Sequence, residues 1–325
     1  MTYPVKAMFS EDDIQLDGAT VAGRIAGELG IKARAAVRAA VHTTFAIGGP
    51  MAVLTEPSDA EQAQRLVQWL NSEKVPRKVL GAGSNLLVDD RGVAACVIRL
   101  GRGFRYCRPL ESVGEAAQFE VGAAMPLMSL CRELSSQGLT GLEFAGGIPA
   151  SFGGAVRMNA GAHSGEISKL IKEITIISGA GEILRVNADD ISFSYRHCGL
   201  PQDSLILSAV IELRRGVSDR CAELTASYLA ERKARQPLSL PSAGSVFKNP
   251  APDNSAGSLI ENAGLKGHRS GGAQISSLHA NWIVNPERKA ASGDVTSLIS
   301  LSKEKVFEHS GIELEQEVIE WVHTV

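Results

Sequence analysis

Two glycine-rich segments have the residue types and spacing to hold a phosphate-bearing ligand. The longer runs from Gly141 to Ala162 and sets six glycines and one proline among Phe144, Ile148, Phe152 and Met158. A flexible linker would be polar and would lack such apolar anchors. The segment is therefore expected to pack closely, with backbone that takes positive φ or approaches a partner at short range, as glycine permits. A large, flat, polyanionic cofactor is one partner that demands this. The shorter segment, Gly81-Ala82-Gly83-Ser84-Asn85, lies between the apolar runs Lys78-Val79-Leu80 and Leu86-Leu87-Val88. Consecutive backbone N–H groups in a tight glycine turn form a concavity suited to phosphate oxygens, and Ser84 and Asn85 can add side-chain donors. Alone, a Gly-x-Gly turn reads more readily as an ordinary hairpin than as a phosphate cradle; a second glycine cluster in the same chain favours the phosphate reading. There is no G-x-G-x-x-G opening a helix and no Gly-Lys-Ser/Thr, so neither a Rossmann fingerprint nor a P-loop is present.

Around these segments the composition is that of a globular protein large enough for two or three cores. The 325 residues are 44% hydrophobic and 21% charged, with a net charge of −3. That balance argues against a nucleic-acid groove or a basic membrane patch, and no apolar run approaches the ~20 residues of a membrane span. Asp12, Asp13 and Asp17 argue against a transit peptide. Cys96, Cys107, Cys131, Cys198 and Cys221 are odd in number, widely spaced and without C-x-x-C, as expected of reduced cytoplasmic thiols. His197 and His279 lack a second ligand at metal spacing, so no metal is expected. No Gly-x-Ser-x-Gly elbow supports a hydrolase.

The elements that must position the glycine segments are legible as alternating strands and helices. Residues 1–41, alanine-rich and helix-prone near Ala19–Leu29, read as an extension loosely tied to the core. Thr43–Ile47 and Met51–Glu56 read as extended, Asp59–Ser72 as an amphipathic helix capped by Ser58 or Asp59, and Val79–Leu80 and Cys96–Leu100 as strands. A strand at Gln118–Val121, a helix at Met125–Gln137 ending at Gly138, a hairpin of Ile171–Ser178 with Ile183–Val186 and a strand at Leu205–Leu213 follow. Arg214-Arg215-Gly216 marks a boundary, then come helices at Asp219–Arg235 and Val295–Ser310 and a short strand around Leu314–Ile319.

Seven segments, in order, carry a resemblance to a known family: Thr44-Phe45 to Pro50, Leu80–Val88, Gly141–Ala162, Ser194-Tyr195-Arg196-His197, Gln236–Pro250, Gly271–Asn285 and Leu314–Val318. The chain resembles the bacterial flavoenzyme family of UDP-N-acetylenolpyruvoylglucosamine reductases, in its shorter-loop subtype. The resemblance implies an α+β fold: a two-subdomain FAD-binding unit of the vanillyl-alcohol-oxidase (PCMH) type, about 42–104 and 105–214, and a C-terminal substrate domain, 215–325. It implies non-covalent FAD, with NADPH as reductant of UDP-N-acetylglucosamine enolpyruvate. The expected setting is a monomer in the cytoplasm, without nucleic-acid or membrane partners.

By the same resemblance, Gly81, Ala82, Gly83, Ser84, Asn85, Gly147, Ile148, Ser151, Gly153, Gly154, Asn159, Gly161 and Ala162 cradle the cofactor. Arg196 and Glu317 face the enolpyruvyl carboxylate, where hydride addition builds negative charge that fixed donors stabilise. The arginine's planar fork suits a carboxylate, and a glutamate there helps only if protonated or if it holds another donor. Ser245 matches the proton donor; Tyr195, Arg232, Lys248, Asn249 and Gln274 match substrate-binding positions. Each residue taken singly also has an ordinary reading as turn former, exposed polar group or packing residue. Two departures stand out: Ala150 occupies a usual glycine position, and Val318-Ile319-Glu320-Trp321 replaces the usual continuation of the terminal strand. A sugar or hydroxy-acid oxidase of the same cofactor fold is one rival reading; it leaves the Ser245, Asn249 and Gln274 context unexplained, and for a covalent flavin it has only His163 as a weak candidate. A silent nucleotide-sugar-binding relative is the other, and the presence of Arg196, Ser245 and Glu317 together argues against it.

Overall fold

The computed structural model describes residues 16–110, 116–251 and 253–323. Residues 1–15, the first part of the expected extension, lie outside them. Helix α1 (Gly18–Leu29) starts where Asp17 accepts the backbone N–H groups of Ala19 and Thr20, and stops at Gly30, which takes φ 67°. Strand β1 (Lys32–Arg38) then pairs antiparallel with β2 (Pro50–Glu56). The expectation of a loosely tied extension is therefore corrected. Ile25 and Ile31 share a core with Val53, Leu66 and Leu70. β1 escaped notice because its covered side is mostly alanine, which carries little hydrophobic signal.

Helix α2 (Ala60–Ser72) is capped by Asp59, whose carboxylate accepts the Gln62 N–H at 2.8 Å. Strands β3 (Arg77–Val79), β4 (Leu86–Val88) and β5 (Val93–Ile98) follow. The first sheet has the order β1-β2-β5-β3, with β5 parallel to both neighbours. Thr43–Ile47, expected to be extended, is instead a turn in which Ala46 takes φ 56° and the Thr43 hydroxyl donates to the Ile47 carbonyl at 3.0 Å. The turn sends Phe45 and Ile47 into the core of the C-terminal domain, a tertiary demand that local pattern does not encode.

The second subdomain contains β6 (Cys107–Pro109), β7 (Ala116–Gly122), α3 (Leu127–Ser136), β8 (Leu139–Thr140), α4 (Phe152–Arg157), β9 (Gly161–Ala162), β10 (Gly165–Glu166), β11 (Ile171–Ile177), β12 (Ile183–Asn187), β13 (Phe193–Ser194), β14 (His197–Cys198) and β15 (Leu205–Arg215). Its antiparallel sheet runs β12-β11-β15-β7-β6, and β8 pairs with the end of β15. One apolar cluster, from Phe119 and Val121 through Leu130, Phe152, Ile174 and Ile211, holds α3, α4 and the sheet together. Ile177, Leu205 and Leu207 belong to the core of the first subdomain and so join the two.

Helix α5 (Ser218–Arg235) follows the boundary read at residues 214–216, yet it packs on the second subdomain. The Ser135 and Thr225 hydroxyls lie 2.9 Å apart, and a Cβ on Gly146 would meet the Thr225 side chain at 2.8 Å. The C-terminal domain adds α6 (Ala256–Asn262), a small sheet of β16 (Arg269–Ser270), β17 (Ala273–Ile275) and β18 (Ile283–Val284), and α7 (Ser292–Ser310). The final strand, expected at Leu314–Ile319, is ordered later, as β19 (Ile319–Trp321), and runs parallel to β4. Trp321 is buried with Leu54, Leu80 and Val97 of the first subdomain. Among the described residues no helix is long and apolar enough to cross a membrane.

Candidate active site

The two glycine segments meet in space. A Cβ on Gly81 would lie 2.6 Å from the Ser151 hydroxyl and 4.0 Å from the Gly154 Cα. Ser151 caps α4 by accepting the Gly154 N–H at 3.3 Å. Gly83 takes φ 66°, and a Cβ there would fall 2.2 Å from the His42 carbonyl oxygen. The turn is pinned by Thr44, which donates its N–H (3.0 Å) to the Gly83 carbonyl and its hydroxyl (2.6 Å) to the Ser242 carbonyl. The backbone N–H groups of Gly81, Ala82, Gly83, Ser84 and Asn85 donate to no protein acceptor among the described residues. Gly81 and Ala82 are exposed, Ser84 and Asn85 half-buried and Gly83 buried, so this row of donors faces outward and can serve an outside acceptor such as a phosphate oxygen.

Around this junction stand residues from all three parts of the chain. Tyr195 and Arg196 form the tip of the β13–β14 hairpin, and Arg196 takes φ 57° there. Its Nε lies 2.8 Å from Glu317 Oε1, with both side chains largely buried. The N–H vector misses the carboxylate, so Nε remains a buried donor without a well-aligned acceptor. The contact is a close approach rather than a formed hydrogen bond, because directionality decides the latter. Burial pushes the Glu317 carboxyl above its usual range, against the opposing pull of Arg196 and Lys248. Glu317 is held by its backbone: its N–H donates to the Val246 carbonyl at 2.8 Å and its carbonyl accepts from Asn85 Nδ2 at 3.1 Å. Ser245 thus sits one residue from a bond to Glu317, and Gly244, at φ 76°, faces Ser84 with room to spare.

Arg232, on α5, lies across Gly147, where a Cβ would come within 2.6 Å of its Cδ. Burial, together with Arg196 nearby, pulls its guanidinium below the ordinary range. A Cβ on Gly161 would approach Arg196 Nη1 at 3.5 Å. Asn249 donates its N–H to the Tyr195 hydroxyl at 3.4 Å, and Lys248 pairs with Glu315. Sequence-selected residues thus converge, with three qualifications. The Asn159 amide is committed to protein: it donates to the Ser194 carbonyl at 2.9 Å and accepts the Ser168 N–H at 3.1 Å, which braces the hairpin that carries Arg196. Gly153 packs against Ala123, Ile148 lies against the second-subdomain core, and Ala162 pairs with Gly165. Gln274 bonds to Gly267 and Arg269 within the small C-terminal sheet and makes no hydrogen bond to the cluster.

A family model described as the UDP-N-acetylenolpyruvoylglucosamine reductase C-terminal domain matches residues 236–321, and an FAD binding domain model matches 51–187. The UDP-N-acetylenolpyruvoylglucosamine reductase of Heliobacterium modesticaldum is 42% identical over 278 residues, 85% of this chain and 87% of that protein. The Bacillus thuringiensis subsp. konkukian protein of that name, numbered 1, is 41% identical over 279 residues, covering 85% and 90%. The chain belongs to the UDP-N-acetylenolpyruvoylglucosamine reductase family. The crystal structure of the family member from Thermus caldophilus superposes with a TM-score of 0.75 at 34% identity, over 90% of this chain and 98% of that one. The fold is α+β, with an FAD-binding domain preceding the family's C-terminal domain.

The residues present fit FAD. The open row of N–H groups at 81–85 and the glycines that let Ser151 and Arg232 approach would hold it, and bound FAD supplies hydride to a substrate. Ala150, the departure from the family's glycine, is absent from the positive-φ residues, so its methyl is accommodated without strain. His163, the candidate for a covalent link, instead stacks on Tyr228 with ring centroids 3.9 Å apart. Gly83→Ala is expected to cost about 1–3 kcal/mol through its left-handed φ alone and more through the clash with His42. The protein should purify with a reduced flavin-to-protein ratio and a lower urea midpoint. Full flavin content with an unchanged midpoint would contradict the assigned role of the turn. Thr44 was missed as a site residue because a lone threonine beside a turn has no distinguishing pattern.

Proposed function

We propose that this chain reduces UDP-N-acetylglucosamine enolpyruvate to UDP-N-acetylmuramate at the expense of NADPH, with Arg196, Glu317 and Ser245 as its catalytic residues. The observation that carries the reading is the meeting of Arg196 and Glu317, at 2.8 Å, beside the 81–85 turn and one bond from the Ser245 segment. Adding hydride to the enolpyruvyl double bond leaves charge on the adjacent carbon and carboxylate. Arg196, whose fork is only partly engaged, binds that carboxylate in both oxygens. Glu317, with its carboxyl raised by burial, keeps its proton more readily than a surface glutamate and donates toward the developing charge. Ser245 delivers the proton that completes the lactyl ether. Its hydroxyl is a poor acid, so placement supplies what acidity does not.

Arg232, Lys248 and Asn249 form the cationic and polar wall for the nucleotide sugar, with Tyr195 over Arg196 at 5.0 Å from ring centroid to Cζ. Gln274 enters this reading only as an outer contact of the nucleotide, because its amide is engaged within its own sheet. Ile148, Gly153, Gly154, Gly161 and Ala162 shape the cofactor floor, and Asn159 braces it. The reading takes the enzyme to be a monomer acting in the cytoplasm, which light scattering and fractionation check. The deciding experiment is anaerobic NADPH consumption by the purified holoprotein with and without the enolpyruvyl nucleotide sugar. Consumption beyond one equivalent of flavin only when the sugar is present is the expected result. Bleaching of the flavin with no response to the sugar would remove this substrate and leave the cofactor fold standing.

A further inference from the structure

We propose that Asn281 is a positioning residue for proton delivery by Ser245. The inference rests on the assignment of Ser245 as proton donor. Asn281 is 3% exposed and its side-chain amide exchanges both hydrogen bonds with one residue, Phe247: the Phe247 N–H donates to Oδ1 at 2.9 Å, and Nδ2 donates to the Phe247 carbonyl at 2.8 Å. Its own carbonyl accepts the Val246 N–H at 2.9 Å. This reciprocal pattern is that of a hydrogen-bonded pair between antiparallel strands, supplied here largely by a side chain.

On the opposite edge of the same segment, the Val246 carbonyl accepts the Glu317 N–H, and the Lys248 N–H donates to the Glu315 carbonyl, each at 2.8 Å. Residues 246–248 are thus clamped from both sides, with the proton donor as the last residue before the clamp and Glu317 attached to it. Upstream, the next anchor is Ser242, held by Thr44; between them lies Gly244 at φ 76°, the freest residue of the loop. The position of the Ser245 hydroxyl is therefore set mainly from its C-terminal side, through Asn281. Asn281 is itself set by a wound turn, in which its N–H donates to His279 Nδ1 at 3.3 Å and the Ser276 hydroxyl accepts the N–H groups of Leu278 and His279. Proton transfer demands close and directed placement of the donor, so loosening this clamp slows that step selectively.

Asn281→Asp tests the role with little change in shape. The ionised carboxylate accepts from the Phe247 N–H but meets the Phe247 carbonyl with no proton to give; the protonated acid restores both bonds. The two half-reactions of the holoenzyme are followed anaerobically by stopped flow. Near pH ~8, re-oxidation of the reduced enzyme by the enolpyruvyl sugar should slow by about 30-fold, while flavin reduction by NADPH stays within about threefold. Re-oxidation should recover toward acid along a single ionisation absent from the wild type. At the acidic end Asn281→Asp should outpace Asn281→Ala, which keeps the comparison available if the aspartate variant folds only there. Combined with Ser245→Ala, Asn281→Asp should slow re-oxidation by far less than it does alone. Re-oxidation by Asn281→Asp within about twofold of wild type at the alkaline end, or an equal loss in both half-reactions at every pH, overturns the proposal. Wild-type re-oxidation in Ser245→Ala alone would instead overturn the assignment of Ser245 and leave the clamp a structural feature.

Discussion

Ser245→Ala should leave the flavin reducible by NADPH yet slow re-oxidation by the enolpyruvyl sugar by about 10²–10⁴-fold, the range expected when a positioned proton donor is lost. The physical reason is local. Ser245 is half-buried between Gly244 and the buried Val246, in a segment tied to Glu317 through the Val246 carbonyl, so removing one oxygen leaves the backbone and the Arg196–Glu317 contact where they are. Binding of the nucleotide sugar should change little, and the defect should fall on the rate at saturating substrate rather than on the half-saturating concentration. Stopped-flow traces at two sugar concentrations separate these. A variant that turns over as the wild type does would remove Ser245 from the mechanism.

Glu317→Gln should slow the same step by less than the ~10²–10³-fold cost of removing a donor, because its amide still donates, though more weakly than a carboxylic acid, toward the developing charge, and it carries a second signature in pH. Burial raises the Glu317 carboxyl, with Arg196 and Lys248 pulling the other way. The folded protein therefore binds more protons than the unfolded chain between the ordinary glutamate range and the raised value. Stability linked to this group is fully present below the ordinary range and is lost as pH rises through the folded pKa. Glutamine has no such titration. Relative to the variant, the wild type should lose urea stability with rising pH across that window, and the alkaline limb of its turnover profile that belongs to Glu317 should vanish in the variant. Parallel stability curves for the two proteins would show that the buried carboxyl does not titrate as its surroundings demand.

Much of the site was legible because its chemistry rests on unusual residues in unusual numbers. Glycines crowded among aromatics could be read as close-packed backbone, and Gly81 against Ser151 and Gly147 beneath Arg232 bear this out. Helices α2, α3, α5 and α7 lie within a few residues of their expected bounds, α2 and α3 through their apolar periodicity and α5 because Gly216 and Pro237 bracket it. What was illegible depended on partners distant in sequence. Phe45 reads locally as part of an extended run, but it turns because its place is in a core built from residues 243–318. Asn281 sits in Leu278-His279-Ala280-Asn281, a stretch with no periodic signal, and its partner Phe247 is 34 residues away. Asn159 was expected to face a cofactor, but its amide is turned to the Ser194 carbonyl. Side-chain amides can serve as backbone surrogates, and no pattern of residue types announces when they do.

The shared core of Phe45, Ile47 and Leu87 with the C-terminal domain, reinforced by β19 on β4 and by Asp90 capping α7 through Ser292, has a mechanical consequence. The first subdomain and the C-terminal domain share this core although they are far apart in the chain, and the first subdomain shares a second core with Ile177, Leu205 and Leu207 of the second subdomain. Across the seam at the hairpin tip, the Tyr195–Asn249 and Arg196–Glu317 contacts are the rivets. Arg196 is carried by the second subdomain and Glu317 and Ser245 by the C-terminal domain, each fastened to the first subdomain by its own core, so the first subdomain acts as the common footing that fixes their separation.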